Sequence, residues 1–180
     1  AHYLCGGIQV DLNGQSSIKR LYAAGECSCT GLHGANRLAS NSLIEAVVYA
    51  DASAKHAMEH ISGYNFNESI PVWNDEGTSL TEEMVLITQS AKEVQQIMAT
   101  YVGIIRSNIR LKRAFDRLDI LYKETESLFL RSVVSKELCE LRNIINTAYL
   151  VIRQAMERKE SRGLHYTLDY PDKIAISDEE

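Results

Sequence analysis

The chain has 180 residues, of which 45% are hydrophobic and 24% charged, and its formal net charge is -5 at pH 7. This composition is typical of a globular protein with one domain, or with one small domain and part of another, and no apolar run reaches the ~18 residues that a membrane-spanning helix needs. The negative net charge argues against a general nucleic-acid-binding protein.

The first 37 residues contain six of the ten glycines and are predicted to form short strands separated by turns. Residues 7–11 alternate between apolar and polar positions, Asn13 and Gly14 form a hairpin-type turn signal, and residues 18–23 are predicted to return as a strand that ends at Gly25. Strands this short do not form a stable sheet alone, so the segment must pack against another part of the protein.

A helix is predicted from about residue 41 to 61, with Gly63 as the stop signal and a linker over residues 62–78. Ser42 and Glu45 have the spacing of a capping box at its start. The apolar positions at helical spacing are Leu43, Val47, Ala50, Ala54, Met58 and Ile61. Small residues on the same helix would allow close packing onto a sheet, as in dinucleotide-binding folds; these are Ala46, Ala50, Ala54 and Ala57.

Residues 79–180 are predicted to form a three-helix C-terminal domain with an extended tail. Ser79 and Glu82 offer a capping box at its front, and Gly163 follows a basic helix end. The apolar positions are Met84, Ile87, Ala91, Val94, Met98, Tyr101 and Ile105, then Leu111, Ala114, Leu118, Leu121, Thr125 and Leu128, then Val134, Leu138, Leu141, Ile145, Ala148, Ile152 and Ala155. The predicted fold class is therefore mainly α, with a three-helix bundle preceded by short strands and one helix.

Residues 30–43 combine glycines, an arginine and a helix start. Gly31 and Gly34 would let the backbone approach a flat ligand, and the Arg37 guanidinium suits a carboxylate. The amide N–H groups at the helix start would favour an anion as well. From spacing alone, Arg37 could equally be a surface arginine in a glycine-rich loop.

Other candidate residues carry weaker signals. Glu26 at a strand end could bind a ribose, as an acidic residue does in dinucleotide-binding folds. The histidines, at positions 2, 33, 56, 60 and 165, have plain structural interpretations. The four cysteines, Cys5, Cys27, Cys29 and Cys139, are predicted to be reduced thiols, and a metal site built on the first three with His33 matches no usual zinc spacing.

Three stretches carry a family resemblance: HYLCGGI at residues 2–8, LYAAGE at residues 21–26 and TGLHGANRLASNSL at residues 30–43. They resemble the flavoprotein family of succinate dehydrogenase, fumarate reductase and L-aspartate oxidase. Cys5 and three further segments are similar to the L-aspartate oxidase branch; these are YVGIIR at residues 101–106, ELRN at residues 140–143 and ESRGLHYTLDYP at residues 160–171. The resemblance covers nearly the whole chain.

The resemblance implies a cytoplasmic, FAD-dependent oxidoreductase, and no metal, membrane or nucleic acid is expected as a partner. Glu26 would bind the FAD ribose, Ser42 and Leu43 would meet the pyrimidine edge of the flavin, and His2 and Arg37 would bind the substrate carboxylates. Hydride transfer from C2 of L-aspartate to the flavin would give iminoaspartate, and O2 (giving H2O2) or fumarate would reoxidise the flavin. Iminoaspartate would then feed quinolinate and NAD synthesis, which suggests a functional link to quinolinate synthase.

Compared with the family, the chain is expected to be a carboxy-terminal fragment. Residues 1–61 would be the last segment of the FAD-binding domain, residues 62–78 a linker and residues 79–180 the helical domain. The fragment is expected to be inactive, not to retain FAD, and to be capable of self-association. Arg162 and His165 in the tail would either help to close the site or only pack on the bundle.

Two alternatives remain at this point. One is the flavoprotein subunit of a succinate dehydrogenase or fumarate reductase, which would have an iron–sulfur partner. The other, from a different class of protein, is a helical interaction module formed by residues 79–180 that mediates assembly.

Overall fold

The computed structural model describes residues 3–79 and 84–174. The chain divides into two compact units, Ala1–Pro71 and Val72–Glu180, called here the N-terminal and the C-terminal unit. The elements in chain order are β1 (Ile8–Gln9), β2 (Ser28–Cys29), α1 (Ser42–Ile61), α2 (Met84–Tyr101), β3 (Ile105–Arg106), α3 (Asn108–Arg131), α4 (Lys136–Glu157) and β4 (Tyr166–Thr167). The prediction of a mainly α protein with few short strands is confirmed.

In the N-terminal unit, β1 pairs with β2 in parallel, with Ile8 opposite Ser28 and Gln9 opposite Cys29. The predicted returning strand over residues 18–23 is wrong, because that segment makes a single isolated antiparallel bridge, between Tyr22 and Gln15. The Asp11 carboxylate accepts hydrogen bonds from two backbone N–H groups of the following turn and so stabilises the turn. The regular partner of β1 is therefore the later segment at residues 28–29.

Helix α1 has the predicted bounds but does not bury the predicted face. Leu43, Val47, Met58 and Ile61 are 61% to 77% exposed. The side that faces its own unit instead carries Glu45, which is buried, and partly buried residues that include Tyr49 and His56. The apolar stripe is uncovered because the small pair of strands β1 and β2 is too short to cover a helix of 20 residues.

The C-terminal unit is a bundle of α2, α3 and α4, as predicted. All six predicted positions of α3 are buried, and so are the six predicted positions within α4, from Leu138 to Ala155. Ser107 and Ser135 cap α3 and α4 by accepting hydrogen bonds from Arg110 N and Leu138 N. The apolar period of 3.6 residues therefore predicted both the existence of these helices and the faces that they bury.

The ends of the predicted helices differ in three places. Helix α2 ends at Tyr101, and Ile105 lies in β3, because the tail strand β4 pairs with β3 in parallel. Val134 precedes α4, which begins at Lys136. The predicted capping box of Ser79 and Glu82 falls partly outside the described residues; within them, Ser79 forms a parallel bridge with Ser132.

Within the described ranges, no helix combines the length and the apolar character that crossing a membrane requires.

Candidate active site

The loop between β2 and α1, residues 30–41, is a series of turns. Gly31 and Gly34 have positive φ angles of 88° and 52°, a region that favours glycine. A Cβ atom at either position would meet no described atom within 4 Å. The loop backbone is therefore accessible at both glycines.

Glu45, in the first turn of α1, is buried beneath this loop. Its side chain is 2% exposed. It accepts hydrogen bonds from Thr30 Oγ1, from His33 Nε2 at 3.0 Å and from the Tyr3 hydroxyl at 3.4 Å. The capping box predicted for Ser42 and Glu45 is therefore wrong, because the Glu45 carboxylate points into this cluster and away from the helix start.

The phenol group of Tyr3 lies against the Glu45 carboxylate. Burial and the negative charge of Glu45 raise the pKa of Tyr3 above its ordinary value of 10.0. The hydroxyl therefore remains protonated at neutral pH and acts as a hydrogen-bond donor. Its ring meets the His33 ring edge-on, with centroids 4.9 Å apart.

His33 uses both ring nitrogens within the loop. Its Nδ1 lies 3.0 Å from the backbone N of Leu38, which can only donate, so Nδ1 accepts. The ring proton of neutral His33 is then on Nε2, which faces Glu45. The network thus assigns one tautomer and connects Glu45 to the residue directly after Arg37.

Arg37 is held from two sides. Its Nε donates to Ser42 Oγ at 2.8 Å, and its guanidinium carbon lies 5.3 Å from the centroid of the Tyr3 ring. Among the described residues, the two terminal guanidinium nitrogens have no hydrogen-bond partner. Arg37 therefore combines a fixed position with free donors suited to a carboxylate.

The start of α1 lies beside Arg37 and is not capped by a side chain. The N-cap residue Asn41 makes no side-chain bond to the helix amides, and the Ser42 hydroxyl is occupied by Arg37. Ser40, just before it, has a φ of 68°, which is strained for a residue with a Cβ. Free N–H groups and the positive end of the helix dipole make this a favourable place for an anion or a polarised carbonyl.

Glu26 precedes β2 and is joined to the front of the chain by a hydrogen bond. One carboxylate oxygen accepts a hydrogen bond from Leu4 N at 2.9 Å, and the side chain is exposed. The second oxygen has no hydrogen-bond partner among the described residues. Glu26 could therefore accept a ligand hydroxyl without losing its structural bond.

The structure brings two of the predicted site residues, Arg37 and Ser42, into direct contact, with Leu43 next to them at the helix start. Glu26 is connected to the segment around Leu4 and not to Arg37. His2 lies outside the described residues. Residue spacing did not indicate Tyr3, Thr30 or Glu45 as site residues, and the available signal was an acidic residue, Glu45, within an otherwise apolar run at the start of α1.

The tail residues Arg162 and His165 belong to the C-terminal unit, where they make structural contacts. Arg162 pairs with Glu160 at 3.0 Å and donates to the carbonyl of Ile174 at 2.7 Å. Arg106 Nη1 lies 2.8 Å from His165 Nδ1, and His165 is 8% exposed. Within this unit, these contacts fix the tail to the bundle.

Metal ligation has no support in the described residues, where no three His, Cys, Asp or Glu side chains are grouped to hold an ion. The four cysteines are free thiols.

Two family models match the chain. The model described as the fumarate reductase flavoprotein C-terminus covers residues 91–180, and an FAD-binding domain model covers residues 1–43. The two matches fall within the C-terminal and the N-terminal unit, respectively.

Curated relatives are similar along nearly the whole chain. An L-aspartate oxidase of Vibrio cholerae is 47% identical over 98% of this chain and 33% of its own length. An L-aspartate oxidase of Pseudomonas aeruginosa is 48% identical over 97% of this chain and 32% of its own length. The chain therefore spans about one third of the length of these relatives.

Two solved structures are similar to nearly the whole chain as well. A quinol-fumarate reductase with menaquinol molecules has a TM-score of 0.78 and 32% identity, over 96% of this chain and 32% of that chain. Mycobacterium smegmatis Sdh1 has a TM-score of 0.74 and 27% identity, over 96% of this chain and 31% of that chain.

Proposed function

The chain belongs to the family of fumarate reductase flavoprotein C-terminal regions, and we propose that it forms the carboxy-terminal third of an FAD-dependent L-aspartate oxidase. The observation that carries this proposal is Arg37, which is held by Ser42 and Tyr3 with its terminal nitrogens free. A guanidinium in this state is suited to bind one carboxylate of a dicarboxylic substrate. The relatives named L-aspartate oxidase favour L-aspartate as that substrate.

The residues at the start of α1 fit a flavin. The uncapped amides near Ser42 and Leu43 would meet the pyrimidine edge, where negative charge develops on reduction. Glu26 would bind the ribose through its free carboxylate oxygen. The bare backbone at Gly31 and Gly34 leaves room for a flat ring system. A bound FAD would supply the hydride acceptor for C2 of L-aspartate, and with loss of a proton from the amino group the substrate would become iminoaspartate.

The contribution of this chain to the reaction is to bind and orient the substrate. Arg37 and His2 would each hold a carboxylate group, and two fixed points on a dicarboxylate restrict how C2 is presented to the flavin. A fixed guanidinium needs little reorganisation when substrate binds, because Ser42 and Tyr3 already determine its position. The groups that handle the proton are proposed to lie in the part of the protein that precedes this chain in its relatives.

The proposed domain arrangement follows the same comparison. Residues 1–61 would complete an FAD-binding domain, residues 62–78 would link it to the helical domain, and residues 79–180 would form that domain. The exposed apolar stripe of α1, from Leu43 to Ile61, would be covered by the rest of the FAD-binding domain. In the cell, O2 or fumarate would act as electron acceptor, and quinolinate synthase would use the iminoaspartate for NAD synthesis in the cytoplasm.

The second candidate is the flavoprotein subunit of a succinate dehydrogenase or fumarate reductase. It is favoured by structural neighbours such as a quinol-fumarate reductase and Sdh1. Higher identity to the L-aspartate oxidases, 47% and 48% against 32% and 27%, favours the first candidate.

The test is to assay the full-length protein with L-aspartate and with succinate while measuring hydrogen peroxide. We expect oxidation of L-aspartate with peroxide formation in air, and little oxidation of succinate. Oxidation of succinate without oxidation of L-aspartate would overturn the proposal in favour of the second candidate.

A further inference from the structure

The buried carboxylate of Glu45 has no role in the proposed chemistry so far. Burying an ionised carboxylate costs several kcal/mol unless donors compensate it. Three donors do so here, and they come from separate parts of the chain: Tyr3 near the front, Thr30 after β2, and His33 within the loop. Glu45 therefore joins three segments at one point beneath the loop that carries Arg37.

One connection from Glu45 to Arg37 runs through His33. The Nε2–H group of His33 donates to Glu45, and its Nδ1 accepts the N–H of Leu38. Leu38 follows Arg37 directly, so this bond restrains the backbone on one side of the arginine. The His33 side chain is only 8% exposed, which limits competition from water for both bonds.

A second connection runs through Tyr3. Its hydroxyl donates to Glu45, while its ring lies 5.3 Å from the guanidinium carbon of Arg37. This places one aromatic ring between the buried carboxylate and the guanidinium. Together with the bond from Arg37 Nε to Ser42, it restrains the side chain.

Resting on the proposed function, we propose that Glu45 and His33 are positioning residues of the substrate site. Glu45 holds Tyr3, Thr30 and His33 in place through hydrogen bonds. His33 and Tyr3 in turn restrain the position of Arg37. The terminal nitrogens of Arg37 are thereby held ready for a substrate carboxylate before substrate arrives. Neither Glu45 nor His33 touches the substrate.

Glu45→Gln is the informative change because it keeps the volume of the side chain. A glutamine amide keeps one acceptor oxygen and replaces the other with an NH2 group, so a hydroxyl of Thr30 or Tyr3 has to reverse and accept, while the Nε2–H of His33 can only donate. The bonds that remain also lose the carboxylate charge, and charge-assisted hydrogen bonds are roughly twice as strong as neutral ones. Displacement of a positioned group by about 1 Å can cost ~10²-fold in rate, so an effect of tenfold or more on dicarboxylate binding is expected.

The experiment is a double-mutant cycle in the full-length, FAD-containing protein, with Glu45→Gln, Arg37→Lys and the two combined. The dissociation constant of succinate is measured from the change in flavin absorbance, and KM and kcat are measured with L-aspartate. Glu59→Gln is the matched control, since Glu59 lies on the exposed side of the same helix. A positioning role predicts that Glu45→Gln weakens succinate binding at least about tenfold and raises KM, but has little further effect once Arg37 is lysine.

A second pair of variants separates the two bonds of His33. His33→Asn can still accept from Leu38 but is too short to reach Glu45, whereas His33→Gln can reach Glu45. Both are expected to weaken succinate binding, because the connection to Arg37 needs both bonds. If Glu45→Gln does not retain FAD, the cycle with Arg37→Lys is run with His33→Asn in its place.

Multiplicative effects of Glu45→Gln and Arg37→Lys, or unchanged succinate binding in the Glu45 or His33 variants, would overturn the positioning role. Those results leave the proposed function intact as long as the unaltered protein oxidises L-aspartate. Failure of the unaltered protein to do so would instead overturn the proposed function.

Discussion

At the scale of single residues, the candidate site depends on how the side chain of one arginine, Arg37, is held. Arg37 has fixed contacts through Nε and through the Tyr3 ring, and its terminal nitrogens are free among the described residues. Such an arrangement places the fork-shaped donor set of a guanidinium in one orientation. A lysine at this position would supply the positive charge, but its ammonium group lacks the planar fork of donors that a guanidinium presents.

Arg37→Lys should therefore lower kcat/KM for L-aspartate in the full-length protein by about 10²-fold or more, mainly through loss of orientation. Steady-state kinetics with L-aspartate measures this. Arg113→Lys is the control, because Arg113 is exposed on α3 and should leave kcat/KM unchanged. Equal kinetics for the Arg37→Lys variant and the unaltered protein would exclude Arg37 from substrate binding.

His165 gives a pH-dependent prediction at the same scale. Burial and the positive charge of Arg106 lower the pKa of His165 below its ordinary value of 6.5. The unfolded chain therefore takes up a proton at this residue at a higher pH than the folded chain does. The contribution to the free energy of unfolding is intact above pH 6.5 and is lost as the pH falls from there towards the folded-state pKa.

An NMR titration of the five histidines, with the His165 signal assigned by His165→Gln, should give His165 a midpoint below 6.5. The exposed His60 in the same spectra is the internal comparison. A midpoint for His165 at or above 6.5 would contradict the prediction.

At the scale of elements, the helical bundle and its tail rely on different interactions. The bundle buries apolar side chains at helical spacing, which the sequence shows directly. The tail relies on polar contacts between residues far apart in sequence, such as Asp169 Oδ2, which accepts from Asn108 N at 2.7 Å at the start of α3. Ser161 adds hydrogen bonds to the carbonyls of Thr167 and Tyr170.

Leu118→Ala should destabilise the protein by about 2–5 kcal/mol, because Leu118 is 2% exposed and its removal leaves a cavity in the bundle. The neighbouring Ile120 is 58% exposed, and Ile120→Ala should change stability by no more than about 0.5 kcal/mol. Urea unfolding followed by far-ultraviolet circular dichroism measures both. Similar losses for the two variants would contradict the assigned core.

Asp169→Ala should remove about 0.5–2 kcal/mol of stability, the usual range for a lost helix cap. The matched control is Asp172→Ala, since Asp172 accepts from Ser161 N through its backbone carbonyl, and its carboxylate makes no hydrogen bond within the described ranges. Urea unfolding measures the loss of stability in both variants. A larger loss for Asp172→Ala would show that the tail is held in another way.

At the scale of the whole molecule, helix α1 has two features that the N-terminal unit does not cover. Its apolar stripe is exposed, and the N–H groups at its start are not capped by a side chain. The chain spans about one third of the length of its relatives, and the proposed flavin contacts from this chain are limited to Glu26, Ser42 and Leu43. These contacts leave most of an FAD molecule without a partner in this chain. The binding of FAD to this chain alone should therefore be weak.

The purified chain should accordingly show no stoichiometric flavin absorbance near 450 nm after incubation with FAD and gel filtration, in keeping with contacts to only part of the cofactor. The full-length protein treated in the same way is the comparison and should retain FAD. Stoichiometric FAD on the chain alone would contradict the expectation that the fragment does not hold the cofactor.

The sequence by itself determined the helices, their buried faces in α3 and α4, and the family through its motifs. Helical periodicity and turn residues are local signals, so they are readable from neighbouring positions. Only the tertiary structure decided that β1 pairs with residues 28–29, that α2 stops before Ile105, and that Glu45 turns away from the helix start to His33 and Thr30. Each of these depends on a contact between residues distant in sequence, and the free energy of such contacts overrides a local preference for a strand, a longer helix or a capping box.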